Sequence, residues 1–292
     1  MTEATYNIVM FAYNEQDNIE ASITSIYNNI NRQLNQFYLI ANGCTDKTVE
    51  TAKSIKSKFG FEQLQIIELT LGDKCNAWNT YVHELADDVD VHFFTDADVQ
   101  FSAQCFEKMT DRLTSADKET VIVAGMPLSG RNVEFYRSLV TERACFFGNL
   151  YGMRHSFIGR IREVPFHLPI GLNWIDSFLT KAANTDLKFT DFNLPNRTTW
   201  IENVGYDFEK LSVFKRDDIR LYINRIARYE LGKIQEMFLD KLPCEEWPRD
   251  MLRINREIEA NFDDLTSHLG YVKRRLVKKR LLKILKKSNK AK

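Results

Sequence analysis

Asp96 and Asp98 end the run Phe93-Phe94-Thr95-Asp96-Ala97-Asp98 and are separated by one small residue. Residues 91–95 read as a buried strand, and the two carboxylates fall where it gives way to a loop. In open α/β sheets, ligands sit outside the carboxyl ends of strands. Two acids at that place can hold a hard divalent cation through oxygen, and the cation in turn a diphosphate. A lone Asp-x-Asp also describes a solvated turn ahead of a helix, so the neighbouring motifs decide. Ala12-Tyr13-Asn14-Glu15 follows the first apolar run, Asn42-Gly43-Cys44-Thr45-Asp46 the second, and Leu71-Gly72-Asp73-Lys74-Cys75-Asn76-Ala77-Trp78-Asn79 the third. Strands of one direction would bring all four segments to one edge of a parallel sheet, where a nucleotide-sugar site would need them.

In that order and spacing the chain resembles the family-2 glycosyltransferases, which have the GT-A fold. The family typically reads Tyr-Asn-Glu after the first strand, Asp-Asp-Gly-Ser-Thr-Asp after the second, and Gly-Lys-x-x-Ala-x-Asn before the Asp-x-Asp. The resemblance covers residues 6–125 well and continues more faintly to about 235. It implies a metal-dependent, inverting transfer from a nucleotide diphosphate donor, UDP-sugar by default, to a hydroxyl of a glycan or lipid-linked glycan. Mn²⁺ or Mg²⁺ would be held by Asp98 with Asp96 assisting, and would stabilise the leaving diphosphate. Tyr13, Asn14, Glu15, Asn42 and Lys74 would line the donor site with Asp96. The chain departs from the family pattern at Ala41-Asn42, where two acids are usual, and at Asp73-Lys74, where Gly-Lys is usual. Asn42 can donate and accept hydrogen bonds but carries no charge.

An inverting transfer needs a base for the acceptor hydroxyl. The family places a Glu-Asp pair before an apolar helix. The matching segment is Gly171-Leu172-Asn173-Trp174-Ile175-Asp176-Ser177-Phe178-Leu179, in which Asp176 fits the second acid and Ile175 replaces the first. Asp176 is the expected base, with Asp186 and Asp191 as weaker candidates. Arg225-Ile226-Ala227-Arg228-Tyr229, followed by Gly232, partly resembles the Gln-x-x-Arg-Trp segment of membrane-linked members, which lies near the acceptor and donor phosphates. The resemblance makes Arg228 a phosphate contact in either substrate, grouped with the donor-binding residues. Spacing gives no support to His167 as a further metal ligand.

These residues need a scaffold. Strands are expected over 6–13, 37–41, 64–69, 91–95 and 121–125, and helices over 17–30, 46–59, 74–85 and 102–113. This alternation implies a mostly parallel sheet with helices on both faces. Residues 126–210 carry Pro127, Pro165, Pro169 and Pro195 and predict loops and short elements. From Asp217 a long helix follows, with Ile219, Tyr222, Ile223, Ile226, Ala227, Ile234, Met237 and Phe238 on one buried face. Gly232 interrupts it at a cost of roughly 1 kcal/mol against Ala. Another helical stretch covers 250–269. The expected organisation is a GT-A catalytic domain over 1–215 (nucleotide-sugar half to about 125, acceptor half beyond), C-terminal helices over 216–270 and a basic tail over 271–292.

The 40 basic and 40 acidic residues balance, but unevenly. Residues 271–292 hold 11 Lys/Arg and no acid, leaving 29 basic against 40 acidic residues in the body, a net of −11. Wound as a helix, the tail puts Val277, Leu281, Leu282, Ile284 and Leu285 on one side. Lys279, Arg280, Lys283, Lys286, Lys287 and Lys290 fall on the other. Such a helix suits the headgroup layer of an anionic membrane. The single tail aromatic and the acidic body argue against nucleic acid. Five scattered cysteines without a Cys-x-x-Cys pair, and no signal-like or membrane-spanning run, lead to a cytoplasmic expectation, peripheral at the inner face of the plasma membrane. Two other readings stay open. A sugar nucleotidyltransferase would carry a Gly-rich, Arg-containing loop after the first strand, which this chain lacks. A non-catalytic partner protein that keeps the fold would explain Ala41-Asn42 and Ile175.

Overall fold

The computed structural model describes residues 3–130, 132–208 and 216–290, without the side chains of 208, 216–218, 221 and 287–290. The boundary expected at 215/216, and the side chains of Asp217, Lys287 and Lys290, lie outside the described residues.

The first half alternates as expected. Its elements are β1 (Tyr6–Ala12), α1 (Ile19–Tyr27), β2 (Leu34–Asn42), α2 (Thr48–Phe59), β3 (Leu64–Leu69), α3 (Lys74–Thr80), β4 (Val91–Asp96), the three-residue β5 (Val99–Phe101) and α4 (Cys105–Ser115). The helix expected over 74–85 changes winding at Tyr81–Leu85, which forms a π-helical turn. The loop-rich region is more ordered than its prolines suggest. It contains β6 (Ile122–Pro127), α5 (Val133–Arg143), β7 (Leu150–Arg154), α6 (His155–Glu163), α7 (Ile175–Asn184) and β8 (Thr198–Phe208). α8 (Arg216–Leu239), α9 (Leu252–Ala260), α10 (Phe262–Leu265) and α11 (Tyr271–Lys290) complete the chain. α9 and α10, expected as one helix, are separated at Asn261.

One eight-stranded sheet runs in the order β3-β2-β1-β4-β7-β6-β8-β5. β3, β2, β1 and β4 are parallel, as expected. Beyond β4 the sheet is mixed: β7 is antiparallel to both β4 and β6, and β6 is parallel to β8. The inserted antiparallel β7 has a consequence for the site. Its first residue, Leu150, is registered against Thr95, so the turn at Gly148-Asn149 lies directly over the end of β4. The Thr95 hydroxyl donates to the Asn149 carbonyl at 2.9 Å and fixes that turn.

Alternation along β1 feeds two cores, one on each face of the sheet. Tyr6, Ile8, Met10 and Ala12 join the core beneath α1, α2 and α4. Val9 and Phe11 join the other, which runs through Trp78, Phe94, Phe178 and Leu231 to Val277, Leu281 and Leu285. The period of two along a strand makes both faces legible at once. The second core carries α11 as an integral layer. Val277 is fully buried and Leu281 nearly so, packed against α8 and α9. The apolar side of the basic tail is therefore covered by the protein itself.

The single buried face expected for α8 is corrected by the structure. Ala227, Leu231 and Ile234 are buried, whereas Ile219, Tyr222, Ile223 and Met237 are exposed. The reason is where the helix finds partners: its buried face begins at Ala227, and Gly232 meets the loop at Asn173-Trp174. The earlier turns reach past that contact.

Candidate functional site

Three loops meet at the C-terminal edge of the parallel strands. Gly43 has φ +69°, and a Cβ there would fall 2.6 Å from the Gly72 amide nitrogen. The loops after β2 and β3 thus meet backbone to backbone, with no room for a side chain between them. The half-exposed Tyr13 ring lies beside this junction, 3.2 Å from where a Gly72 Cβ would be. Asn14, itself at φ 57°, accepts the Thr45 amide through Oδ1 at 2.8 Å and ties the first loop to the second. Asn42 is buried, and its Oδ1 accepts the Asp73 amide at 2.8 Å. Its carbonyl oxygen is thereby committed to pinning the third loop. Cys44 and Cys75 act as ties of the same kind, the first donating to the Ala12 carbonyl and the second to that of Leu172.

Glu15, Asp96 and Asp98 make an acidic cluster at this edge. Burial, with Asp98, Asp96 and Asp46 nearby, pushes Glu15 up to about 7, although Asn18 donates to it at 2.8 Å. Asp98 is raised for the same reasons, burial first and then Asp96, with Arg225 and Lys74 opposing. The donor set is right for a hard cation. Mg²⁺-type sites commonly take one or two carboxylates and leave the other positions to water and substrate phosphate. Among the described residues no three His, Cys, Asp or Glu side chains are grouped as a complete metal cage. The mutual repulsion in the cluster is what a cation shared with a diphosphate would relieve.

Lys74 lies between Asp96 and Asp176. Its ammonium pairs with Asp96. Burial works against its charge, but Asp96 and Asp176 hold it above its ordinary value. Asp176 lies across Gly148: a Cβ on Gly148 would meet Lys74 Nζ at 2.7 Å, Asp176 Oδ1 at 3.0 Å and Asp96 Oδ2 at 3.6 Å. Gly148 is therefore the void around which the two carboxylates and the ammonium converge, and its amide donates to Asp176. Asp176 sits in the first turn of α7, whose cap is Trp174 in a left-handed conformation (φ 62°), so capping does not account for it. Burial raises its pKa, while Lys74 pulls the other way.

Other candidates fall elsewhere. Asp186 pairs with Arg197 at 2.8 Å, and Asp191 is exposed. His167 stacks on His83 with ring centroids 3.9 Å apart, outside the acidic cluster. His155 bonds His92 at 2.9 Å, and His92 lies at the start of β4, the end opposite Asp96.

The loop before Asp176 rests on α3, α8 and α11. Asp73 caps α3 through Asn76 and also accepts the Gly171 amide at 2.9 Å. Asn79 exchanges hydrogen bonds with both backbone groups of Leu168, at 2.8 and 3.0 Å. These bonds stitch the loop after β3 and the start of α3 to residues 168–171. Gly232 explains itself here, since a Cβ would lie 2.7 Å from the Asn173 carbonyl and 2.9 Å from Trp174 Cβ. Trp174 packs edge-on against Tyr229 at 5.1 Å. Arg225 and Arg228, one turn apart, act on opposite sides: Arg225 bears on Asp98, and Arg228 on Lys74 and Asp176. Gly148, Asp73, Asn173, Gln235 and Arg280 were not singled out from the sequence. Only Asp73 left a signal there, as the residue that displaced the family's glycine.

Comparison with known proteins gives the same assignment. The family model described as glycosyl transferase family 2 matches residues 7–170, more than half of the chain. Among solved structures, the mannosyltransferase PcManGT from Pyrobaculum calidifontis, in complex with GDP-Man and Mn²⁺, is similar over 94% of this chain and 72% of its own (TM-score 0.62, 17% identity). S. aureus TarS in complex with UDP-GlcNAc is similar over 94% of this chain and 78% of its own (TM-score 0.60, 11% identity). Glucosyl-3-phosphoglycerate synthase from Mycobacterium tuberculosis is similar over 77% and 78% respectively (TM-score 0.51, 14% identity). At these identities the likeness is one of fold. No match was found among curated protein sequences.

Proposed function

We propose a function from one premise: this chain belongs to glycosyl transferase family 2. It transfers a sugar from a nucleotide diphosphate donor to an acceptor hydroxyl, with inversion, the acceptor being a glycan or lipid-linked glycan. The observation that carries this reading is the meeting of Asp96, Lys74 and Asp176 around Gly148 at the end of β4, with Asp98 and Glu15 alongside. Tyr13, Asn14, Glu15 and Asn42 shape the nucleoside side. Asp98, with Asp96, would hold Mn²⁺ or Mg²⁺, and such a cation supplies charge neutralisation at the leaving diphosphate. Lys74 holds Asp96 and stands between the donor and acceptor sides. Asp176 takes the proton from the acceptor hydroxyl, its raised pKa making it a stronger base than an exposed aspartate. The GDP-Man, UDP-GlcNAc and UDP complexes of the similar structures support a nucleotide donor of this kind, without selecting the base.

The test is a thermal-shift series with nucleoside diphosphates, with and without Mn²⁺ or Mg²⁺, on the native chain and on Asp98→Ala. Native protein is expected to be stabilised by one base in a metal-dependent way, by about 2.7 kcal/mol at a hundred times Kd, and Asp98→Ala to lose that effect. Equal stabilisation of both proteins would remove Asp98 from the site.

For the tail, electrostatic contact with an anionic membrane fits better than insertion. Val277, Leu281 and Leu285 are buried, while Arg275, Lys279, Lys283 and Lys286 remain exposed. No helix among the described residues is long and apolar enough to cross a membrane. Each exposed cation near an anionic surface contributes roughly 1 kcal/mol. Co-sedimentation with anionic vesicles that survives high salt would contradict a purely electrostatic contact.

A further inference from the structure

Two arginines from helices far apart in sequence, Arg228 and Arg280, lie near enough for the charge of one to act on the other, and Arg228 also bears on Asp176. Arg280, on α11, donates from Nε to Asn173 Oδ1 at 2.7 Å. Asn173 is held in turn: its amide and its Nδ2 both donate to Gln235 Oε1, at 2.9 and 3.2 Å. Gln235 is fully buried and donates to Asn255 Oδ1 at 2.8 Å. A chain of buried amides on α8, α9 and the 171–174 loop thus grips one edge of the Arg280 guanidinium. Arg228 is exposed on α8 and precedes Tyr229, whose ring packs edge-on against Trp174. Among the described residues neither guanidinium forms an ion pair. Burial and the charge of Arg228 lower Arg280 to about 10. Arg280 is half-buried and Arg228 exposed; holding the first near the second costs free energy, and the amide network on Arg280 maintains it.

We propose that Arg228 and Arg280 form an anion subsite on the acceptor side of the cleft, which takes a phosphate or phosphodiester group of the acceptor. With Nε committed to Asn173, Arg280 has its two terminal nitrogens left for a bidentate contact with a tetrahedral oxyanion. The acceptor assignment rests on the reading of Asp176 as the base, because Arg228 is the α8 arginine whose charge bears on Asp176. Arg225, one turn earlier, bears on Asp98 and belongs to the donor side. Arg228, grouped from the sequence with the donor contacts but open to a phosphate of either substrate, belongs to the acceptor on this proposal. The C-terminal basic segment, on this account, supplies a substrate contact as well as surface charge.

The experiment uses the full chain and glycerol 3-phosphate as the probe, with glycerol as its uncharged counterpart, and follows binding by calorimetry and thermal shift. Glycerol 3-phosphate is expected to bind and glycerol not, both without nucleotide and with saturating nucleoside diphosphate and Mn²⁺. Arg280→Gln and Arg228→Gln are each expected to weaken it at least tenfold, with cooperative melts showing that the variants fold. Arg280→Lys keeps the charge and loses the fork, and is expected to fall between native and Gln. It also carries the test if Arg280→Gln fails to fold. Equal binding of glycerol, or native affinity in the variants, overturns the subsite. Displacement of glycerol 3-phosphate by the nucleotide overturns the acceptor assignment, since the anion would then occupy the donor site. The two readings fail separately. Nucleotide binding without glycerol 3-phosphate binding removes the subsite and leaves the transferase reading. Arginine-dependent glycerol 3-phosphate binding without any nucleotide binding does the reverse.

Discussion

An aspartate that must accept a proton from a hydroxyl gains from burial only if something nearby keeps it from being neutral at working pH. Asp176 has both influences, burial raising its pKa and Lys74 restraining the rise. Activity is expected to climb with pH as Asp176 deprotonates, with an apparent pKa above the ordinary 3.8. Asp176→Asn should lower kcat by about 10²–10⁴ and flatten that limb of the profile. Gly148→Ala tests the same convergence sterically. The new methyl would meet Lys74 and Asp176 and force them apart, so kcat is expected to fall at least about tenfold while the melting temperature changes by only a few degrees. Unchanged turnover in Gly148→Ala would mean that the three groups need not converge for catalysis. Glu15 yields an opposite pair of effects. Its folded pKa of about 7 exceeds the ordinary 4.5, so its contribution to stability is complete below pH 4.5 and is lost as pH rises toward 7. Glu15→Gln should therefore melt higher than native protein at pH 8, by about 2–4 °C, while binding metal and nucleotide more weakly.

At the scale of elements, what was legible followed periodicity, and what was missed followed contact. The alternation of short apolar runs with amphipathic stretches in residues 6–125 was enough to expect β1 to β4, because a strand buried on both faces shows as a continuous apolar run. β7 was not legible, since Leu150–Arg154 lies between helices in a stretch without alternation, and it is this strand that brings Gly148 to Asp96. The acids at the end of β4 could be named from order and spacing, and Asp176 from the resemblance to the family's acid before an apolar helix. Their meeting could not, because it depends on a glycine with no distinguishing neighbours. α8 shows the same limit. Its apolar spacing runs the full length, yet only the part facing α9, α11 and the 173–174 loop is buried. Gly232, read from sequence as a defect, is a contact point. Gly232→Ala should destabilise the protein by about 1–3 kcal/mol in denaturant unfolding, although alanine is intrinsically the better helix former. A stabilised variant would show that α8 can retreat from Asn173 without cost.

For the whole molecule, the basic tail is a structural layer. Val277, Leu281 and Leu285 complete a core that begins at β1, and each fully buried aliphatic side chain is worth roughly 1.5–3 kcal/mol. A chain ending at residue 270 should unfold at lower denaturant and lose turnover even in vesicle-free solution. Turnover per folded molecule equal to that of the full chain would show that α11 contributes nothing to the reaction. The stitch made by Asp73 has a different consequence. One carboxylate caps the helix whose first residue is Lys74 and also holds the amide of Gly171. Nucleotide arriving at the first place is expected to change how long that amide stays shielded from solvent deuterium. Hydrogen exchange at Gly171 and Leu168 would then report donor occupancy from a distance, and would make the enzyme's order of substrate addition readable before its acceptor is known.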